Sequence, residues 1–247
     1  MKTTFRILLA VICLSLGVGP AAMGATISLD AVVGVWSNTT GGTNVTENTV
    51  SAGYNRVLWG IPATSAGRSG LGFQGATAPS ISLMSPFLIG NLQHYNRPIE
   101  LGTAASSTQL NLGVSLSIDG NPVSEGPFNF QFLIDETRNS APCAYPSTPG
   151  NPCADQITFT NLTTSSAFSI GGVDYVLELL GFSNDGGATL ASNFISQENA
   201  NNIIGLYGKL TAREPDNPQP IPEPASMVMI GAGLAGLGLI RRRRAKA

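Results

Sequence analysis

The stretch Leu110–Asp135, LNLGVSLSIDGNPVSEGPFNFQFLID, decides the fold class. Apolar and polar residues alternate strictly in its first half, and from Phe128 onward phenylalanines alternate with polar residues. A period of two places one set of side chains on a buried face of a strand and the other set on a solvent face. The Asp119-Gly-Asn-Pro segment between the halves is typical of a turn. The stretch therefore predicts a β-hairpin with a rather long loop.

Similar patterns extend over most of the chain. Alternation recurs at Ile27–Val35 and Val173–Leu179, no segment keeps a helical period, and Gly (29) and Pro (16) are frequent. Many short strands joined by polar turns predict an all-β body, either a β-sandwich or a jelly roll. The polar segment Asn38–Ser51 is either a long loop or a polar surface strand. Further short strands are expected at Arg56–Gly60, Gln156–Thr160 and Ile203–Thr211.

The charge of the chain is distributed unevenly. Charged residues make up only 11% of the sequence, and seven of the 13 basic residues lie near the two ends. Residues 25–220 hold six basic and fourteen acidic side chains. Nucleic acid binding requires a basic face, so an acidic body excludes nucleic acid as a partner.

The first 24 residues have the pattern of a secretory signal peptide. Lys2 and Arg6 precede the apolar run Ile7–Val18, and small residues follow up to a cleavage site that we expect after Gly24 or Ala25. Twelve apolar residues are too few to span a bilayer, which requires about 20. The chain is therefore predicted to be exported.

An apolar run and a basic end follow near the other terminus. Ala225–Ile240 contains 16 uncharged residues, which as a helix would cover about 24 Å of a hydrocarbon core of about 30 Å. Snorkelling arginines and local thinning of the bilayer can absorb that difference. The basic residues Arg241, Arg242, Arg243 and Arg244 predict a cytoplasmic end by the positive-inside rule. We therefore expect a transmembrane helix and a body on the far side of the membrane.

These features divide the chain into four segments. They are a signal peptide at 1–24, an extracellular β domain at 25–211, a Pro-rich linker at 212–224, and a transmembrane helix with an Arg-rich cytoplasmic end at 225–247. The linker contains five prolines. Such a composition favours an extended spacer rather than a packed structure.

The order of Pro222-Glu223-Pro224, a short apolar run and Arg241–Arg244 resembles the PEP-CTERM sorting signal. The resemblance implies cleavage near the Pro-Glu-Pro by an exosortase, a membrane-embedded thiol transpeptidase of Gram-negative bacteria that make exopolysaccharide. It further implies export through the Sec translocon and transient anchoring in the inner membrane. The body would then be released or re-anchored at the cell surface or in the extracellular matrix.

A second resemblance lies in the body. His94-Tyr95-Asn96 followed by Pro98-Ile99 resembles the H-x-N core of the THxN group of PEP-CTERM proteins, although Gln93 stands where that group has Thr. Cys153–Phe159 and Tyr175–Phe182 are also similar to that group. This resemblance implies a shared extracellular β domain without a known activity.

Two cysteines remain after the signal peptide, Cys143 and Cys153. In an oxidising compartment a disulfide between them is the expected state, and closing so short a ring would stabilise the fold by roughly 2.5–3 kcal/mol. The alternative is a reactive or metal-binding thiol pair. No His or further Cys lies nearby in the sequence to complete such a metal site.

The sequence contains no recognisable catalytic motif. Its only histidine, His94, could act as a general base if the fold brought a Ser or Cys to it. The favoured interpretation is instead a local hydrogen bond that fixes a turn before a strand. Both G-x-S-x-G and H-E-x-x-H are missing, so the chain is predicted not to be an enzyme.

Two acidic clusters could hold Ca²⁺, Asp135-Glu136 and Asn184-Asp185-Gly186. Neither has the full D-x-N-x-D-G spacing, so solvated loops are favoured and no cofactor or metal site is predicted. A sugar-stacking platform is a further possibility, although most aromatic residues of such a body belong to its core. The aromatic residues in question are Trp36, Trp59, Tyr54 and Tyr95.

The sequence thus predicts a surface protein with a structural or adhesive role in an exopolysaccharide matrix. One alternative is a carbohydrate-binding module displayed by the same route. A less favoured alternative is a secreted hydrolase, which would require two carboxylates roughly 5–10 Å apart in a cleft.

Overall fold

The computed structural model describes residues 25–160, 166–170 and 172–213. Within these residues the protein forms β-strands and no α-helix, which confirms the all-β prediction, and no helix there is long and apolar enough to cross a membrane. The predicted signal peptide, the predicted transmembrane helix and the linker beyond Arg213 lie outside the described residues. The strands are β1 (Ile27–Gly41), β2 (Thr46–Ser51), β3 (Tyr54–Trp59), β4 (Ser69–Gly75), β5 (Ala78–Ile81), β6 (Pro86–Asn96), β7 (Ala105–Ile118), β8 (Asn121–Asp135), β9 (Asp155–Phe159), β10 (Ser166–Ile170), β11 (Val173–Ser183), β12 (Asn193–Ser196) and β13 (Ala200–Arg213).

The predicted hairpin is formed by β7 and β8, which pair in antiparallel register up to Ile118 and Asn121. The long loop expected between the two strands is wrong, because only Asp119 and Gly120 separate them. These two residues have φ angles of 50° and 79°. Positive φ at both positions is typical of two-residue turns whose twist matches that of the flanking strands.

The strands form two antiparallel sheets. A six-stranded sheet has the order β12-β9-β8-β7-β1-β5, and a seven-stranded sheet has the order β10-β11-β13-β6-β4-β3-β2. β6 therefore lies at the centre of the larger sheet, between β13 and β4. β13 continues through Arg213, two residues into the stretch predicted as linker.

The two sheets face each other across one hydrophobic core. Phe132 of β8 lies against Phe182 of β11 in the other sheet, with ring centroids 6.1 Å apart. A Cβ atom at Gly34 of β1 would collide with the ring of Phe73 in β4, so the sheets approach closely there. Each large side chain that is fully buried in this way contributes roughly 1.5–3 kcal/mol. Core residues include Leu110, Phe130 and Phe159 of the smaller sheet and Leu71, Ile89 and Leu206 of the larger one.

The polar segment Asn38–Ser51 resolves into the end of β1, a short turn and the edge strand β2. β2 pairs only with β3 among the described strands, and its side chains are exposed or half-buried. The surface-strand interpretation therefore applies to most of this segment. Polar side chains on a sheet edge discourage pairing with other chains.

A disulfide joins Cys143 to Cys153, with the Cα atoms 5.1 Å apart, which confirms the predicted bond. It closes the connection between the end of β8 and the start of β9. These two strands pair antiparallel, with Asp135 opposite Gln156. This pairing holds the end of β8 beside the start of β9.

Candidate functional site

Four ionisable side chains from distant parts of the chain meet at one end of the two sheets. His94 lies near the end of β6, Glu136 directly follows β8, Asp155 begins β9, and Glu198 lies between β12 and β13. We call these four residues the polar cluster. Because each lies within two residues of a strand end, pairing and stacking of the strands bring them together.

The polar cluster is deeply buried. His94 and Asp155 are 0% exposed, Glu198 is 1% exposed, and Glu136 is half-buried. One ligand-capable atom each from His94, Glu136 and Asp155 lies within 4.8 Å of the other two. Charged groups are almost never fully buried unless they are paired, so this arrangement requires a physical explanation.

His94 is held by a residue far away in the sequence. Its Nδ1 lies 2.7 Å from Ser196 Oγ, and its ring stacks on the buried ring of Trp59 at a centroid distance of 6.2 Å. Asn96, two residues later on the same face of β6, donates through Nδ2 to the Ser196 carbonyl at 2.9 Å. The predicted local turn is therefore wrong, because His94 lies in a central strand and contacts β12.

The H-x-N spacing thus places two side chains of β6 against the same residue, Ser196. Both His94 and Asn96 are fully buried and bind Ser196. The third residue of the pattern, Pro98, follows β6, and its carbonyl accepts a hydrogen bond from the Ala63 amide at 3.0 Å. Pro98 does not join the polar cluster.

The pair Ser196 and His94 has the composition of a nucleophile and its base. A nucleophile must reach its substrate, however, and both side chains are 0% exposed. Neither side chain lines any of four surface cavities formed by the described residues. The hydrogen bond between them fixes the orientation of the imidazole ring.

Several polar atoms of the polar cluster lack a hydrogen-bond partner. His94 Nε2, Glu136 Oε2, Asp155 Oδ2 and Glu198 Oε1 are all buried and unpartnered. The nearby Asn96 Oδ1 is in the same state. A single orphaned buried polar atom costs about 1–3 kcal/mol, and native proteins contain few of them.

The opposite oxygens of the two deepest carboxylates are satisfied by the protein. Asp155 Oδ1 accepts a hydrogen bond from the Thr137 amide at 2.7 Å. With its amide group oriented to suit its neighbours, Asn139 donates to Glu198 Oε2 at 3.3 Å and to the Cys153 carbonyl at 3.1 Å. Each carboxylate is therefore oriented by one oxygen, while the other oxygen is unpartnered.

Burial shifts the acid–base equilibria of the polar cluster strongly. It raises the pKa of Glu136 to about 9, an effect increased by the negative charges of Asp155 and Glu198. It raises the pKa of Asp155 to about 6 and that of Glu198 to about 7, although hydrogen bonds from Thr137 partly oppose the rise at Asp155. Burial also lowers the pKa of His94 to about 3, with a further contribution from Arg97. His94 is therefore neutral. The carboxylates would be stabilised by a proton or a cation that offsets their negative charge.

The polar cluster borders a surface cavity. Glu136 also lines a cavity of about 270 Å³ together with Ile99–Gly102, Ala104 and Thr137–Ser140. Since Asp155 and Glu198 are buried behind it, Glu136 is the member of the polar cluster that connects the interior with solvent.

The second acidic cluster, Asn184-Asp185-Gly186, is organised differently. Asp185 is exposed, and its Oδ1 accepts hydrogen bonds from Ser183 Oγ at 2.6 Å and from the Thr189 amide at 2.9 Å. These bonds lower the pKa of Asp185 to about 2. The carboxylate thus serves as the acceptor of its own turn, which we call the Asp185 turn.

The proposed aromatic platform does not form as a unit. Trp36 and Trp59 are 1% and 0% exposed and belong to the core, and Tyr54 is 9% exposed. Tyr95 is half-buried, and the Arg56 guanidinium lies 5.4 Å from its ring centroid. A sugar-stacking role of the two tryptophans is therefore wrong.

Tyr95 instead lines an open groove on the outer face of the larger sheet, with a volume of about 540 Å³. Three of the six basic residues in the described part of the chain line this groove, and no acidic residue does. We call it the basic groove. Its charged and aromatic lining residues are Arg56, Arg68, Arg97, Tyr54 and Tyr95.

Comparison with known families identifies one segment. Residues 220–244 match the PEP-CTERM protein-sorting motif. This match supports a PEP-CTERM protein. The matched segment includes Pro222, Glu223, Pro224 and Arg241–Arg244, as the sequence predicted. No curated protein matches the chain significantly.

The sorting motif has direct consequences for the processing and location of the chain. It implies an exosortase as the processing partner, and it implies export to the cell envelope or surface of a bacterium. The resemblance of the body to the THxN group stays a prediction. The polar cluster lies in the body, far along the chain from the matched segment.

Sequence reasoning missed two members of the polar cluster, Asp155 and Glu198, and the residue that orients His94, Ser196. Ser196, Asp155 and Glu198 attracted no attention as functional residues, because each stands alone in an ordinary strand-and-turn context. One signal was present in the sequence: Leu92, His94 and Asn96 alternate, which places His94 on the same strand face as an apolar residue.

Proposed function

We propose that this PEP-CTERM protein is a surface protein with a structural or adhesive role in the extracellular matrix of an exopolysaccharide-producing Gram-negative bacterium. Its body would be a β-sandwich, exported through the Sec translocon and anchored briefly in the inner membrane. The observation that carries the proposal is the sorting motif at residues 220–244, which begins shortly after the last strand β13 ends at Arg213.

We further propose that the body is not an enzyme. Two observations support this part of the proposal. The hydroxyl of Ser196 and the imidazole of His94 are fully buried, and so are the carboxylates of Asp155 and Glu198. A glycosidase needs two carboxyl groups that flank the bond it cleaves, and a buried carboxylate cannot contact a polysaccharide chain.

The sorting step is tested by replacing Pro222, Glu223 and Pro224 with alanine. Cells that produce the exosortase are fractionated, and the mass and location of the protein are measured. We expect the unaltered body at the surface or in the medium, shortened at both ends, and the triple variant in the inner membrane with its tail intact. A control with Pro215→Ala and Pro218→Ala changes the same spacer outside the matched segment, and it should be processed normally. If the triple variant is also shortened and released, the sorting proposal is wrong.

A carbohydrate-binding role is a second candidate, favoured by the basic groove. Arginines and an aromatic ring on one open surface suit an acidic polysaccharide, because the guanidinium groups pair with carboxylates and the ring stacks on a sugar face. The rest of the body is acidic, so this attraction would be confined to the groove.

Affinity electrophoresis of the mature protein in gels containing alginate or neutral dextran tests this second role. Retardation by alginate alone, weakened by Arg56→Gln, would support it. The matched control is Lys209→Gln, which removes a cation that pairs with Glu178 outside the groove. Equal retardation of both variants would contradict a specific role of the groove.

A further inference from the structure

We propose that the polar cluster is a binding site for one divalent transition-metal ion, with His94, Glu136 and Asp155 as the protein ligands and Glu198 as a neighbouring carboxylate. The site takes an ion that accepts mixed nitrogen and oxygen ligands, Zn²⁺ or Mn²⁺. This inference goes beyond the proposed surface role and does not depend on it.

The first argument is the convergence of free electron pairs. One ligand atom each from His94, Glu136 and Asp155 falls within 4.8 Å of the others. His94 Nδ1 is occupied by Ser196 Oγ, so Nε2 is the ring atom free to bind a ligand. With the hydrogen on Nδ1, Nε2 presents a lone pair to the carboxylates. Lone pairs that face one another repel unless a cation or a proton lies between them.

The second argument is the burial of these unpartnered atoms. His94 and Asp155 are 0% exposed, and His94 Nε2 and Asp155 Oδ2 have no hydrogen-bond partner. The fold places three carboxylates here although an unpaired buried charge is costly. Among the described residues, no Lys or Arg forms a salt bridge with these three carboxylates. The salt bridge in this part of the chain joins Lys209 to Glu178 instead. A divalent cation would supply the missing positive charge.

The third argument is the set of supporting hydrogen bonds. Ser196 Oγ orients the His94 ring through Nδ1, and the Thr137 amide holds Asp155 through Oδ1. In both residues the atom on the opposite side is the unpartnered one. Metal-binding histidines and carboxylates are commonly oriented in this way by groups that do not touch the metal.

The ligand types select the class of ion. An imidazole nitrogen suits Zn²⁺ and other transition metals, whereas Ca²⁺ takes six to eight oxygen ligands. Neighbouring ligand atoms of a tetrahedral zinc ion lie roughly 3.4 Å apart, given metal–ligand distances of about 2.1 Å. The three ligand atoms lie within 4.8 Å of one another, so a bound ion would draw them closer together. The cavity of about 270 Å³ that Glu136 lines offers the entry route and room for a bound water.

The experiment uses the full-length chain in detergent, purified with a tag that contains no histidine and then treated with a chelator that is removed by dialysis. Metal content is measured by mass spectrometry before and after the treatment. Titration calorimetry and thermal unfolding then follow the addition of ZnCl₂, MnCl₂, MgCl₂ or CaCl₂. We expect one equivalent of Zn²⁺ or Mn²⁺ to bind and to raise the melting temperature, since a ligand that binds only the folded state stabilises it.

Glu136→Gln and Asp155→Asn test the assigned ligands. Both substitutions keep the shape of the side chain and remove its charge, and each should weaken metal binding at least about tenfold. Asp185→Asn is the matched control, because it makes the same change to an exposed carboxylate outside the polar cluster, and it should leave binding unchanged. Circular dichroism verifies that every variant is folded.

Three outcomes would overturn the proposal. The first is the lack of stoichiometric binding by any of these ions, which would mean that protons or a water molecule satisfy the polar cluster. The second is binding that Glu136→Gln and Asp155→Asn leave unchanged, which would place the ion elsewhere. The third is tight binding of Ca²⁺ or Mg²⁺ alone, which would contradict the nitrogen ligand. None of these outcomes bears on the sorting step, which is tested separately.

Discussion

Asp155 and Asp185 both lie next to the end of a β-strand, and both belong to a stretch with polar neighbours, yet their carboxylates are in opposite situations. Asp185 accepts hydrogen bonds from Ser183 and Thr189, within four residues of itself, and it is exposed. Asp155 is fully buried, and one of its oxygens has no partner. The Asp185 turn satisfies its carboxylate with its own neighbours, whereas in the polar cluster one oxygen of each carboxyl group has no hydrogen-bond partner in the protein.

The two regions also differ in what holds them in place. The Asp185 turn depends on hydrogen bonds between near neighbours. The polar cluster depends on distant segments that are held together by the two sheets and by the disulfide between Cys143 and Cys153. A perturbation of long-range structure should therefore affect the polar cluster and spare the turn.

Removal of the disulfide should produce the largest difference in behaviour between the polar cluster and the Asp185 turn. We expect Cys143→Ser with Cys153→Ser to lower the free energy of unfolding by roughly 2.5–3 kcal/mol, because the unfolded chain regains the freedom of an open loop. Denaturant unfolding measures this change. Hydrogen exchange should become faster at the Thr137 amide, which donates to Asp155, and should stay unchanged at the Thr189 amide. Equal acceleration at both amides would show that the two regions are not independent.

The pH dependence of the metal-free protein should show the next largest effect. Glu136, Asp155 and Glu198 have pKa values of about 9, 6 and 7, above those of unfolded carboxyl groups. Each of these carboxyl groups therefore stabilises the folded state fully below the unfolded pKa of about 4. This stabilisation is lost as the pH rises through the pKa of the group in the folded state. His94, with a pKa of about 3, acts in the opposite direction, since its contribution is present above about pH 6.5 and is lost as the pH falls through about 3.

Urea unfolding in the presence of chelator, from pH 5 to pH 9, measures this dependence. We expect stability to fall as the pH rises above about 6.5, where His94 no longer contributes to the slope. Glu136→Gln should flatten the slope and stabilise the metal-free protein by about 2 kcal/mol at pH 8, a value reduced for the partial exposure of this residue. Asp185→Asn should leave the slope unchanged in this range, because the pKa of Asp185 is about 2. Stability that rises with pH in chelator would contradict the buried state of the three carboxylates.

The smallest expected effect concerns the Asp185 turn alone. Titration of the Asp185 carboxyl carbon by NMR should give a pKa of about 2, and Ser183→Ala should move it toward the ordinary value of 3.8, since the Ser183 hydroxyl stabilises the ionised form. The contribution of this ionised carboxylate to stability is present above its unfolded pKa and is lost as the pH falls through about 2. Thr64→Ala, in another exposed turn, is the control and should not change the titration. If the pKa of Asp185 in the protein without substitutions lay at the ordinary value of 3.8, the difference between the environments of Asp185 and Asp155 described above would be wrong.

Much of the fold could be predicted because its signals are local. The alternation in β7 and β8 reports which side chains face the core, and Asp119 and Gly120 report the turn between them. The turn is nevertheless shorter than the sequence predicts, because Pro122, a typical turn residue, lies at the start of β8. The turn predicted near His94 does not form for a similar reason: Asn96 and Pro98 suggest a turn, yet pairing with β4 and β13 on both sides keeps the chain extended through Asn96.

The sequence by itself determined the all-β class, the hairpin, the disulfide partners and the sorting motif, since each is encoded by residues close together in the chain or by the number of cysteines. Only the tertiary structure decided the polar cluster. His94, Glu136, Asp155 and Glu198 are separated by long intervals of ordinary strand and loop sequence, and none of the local patterns specifies which strands pair or how the two sheets stack. Those choices follow from packing of the whole core, and the same packing that buries the four side chains also separates them from water.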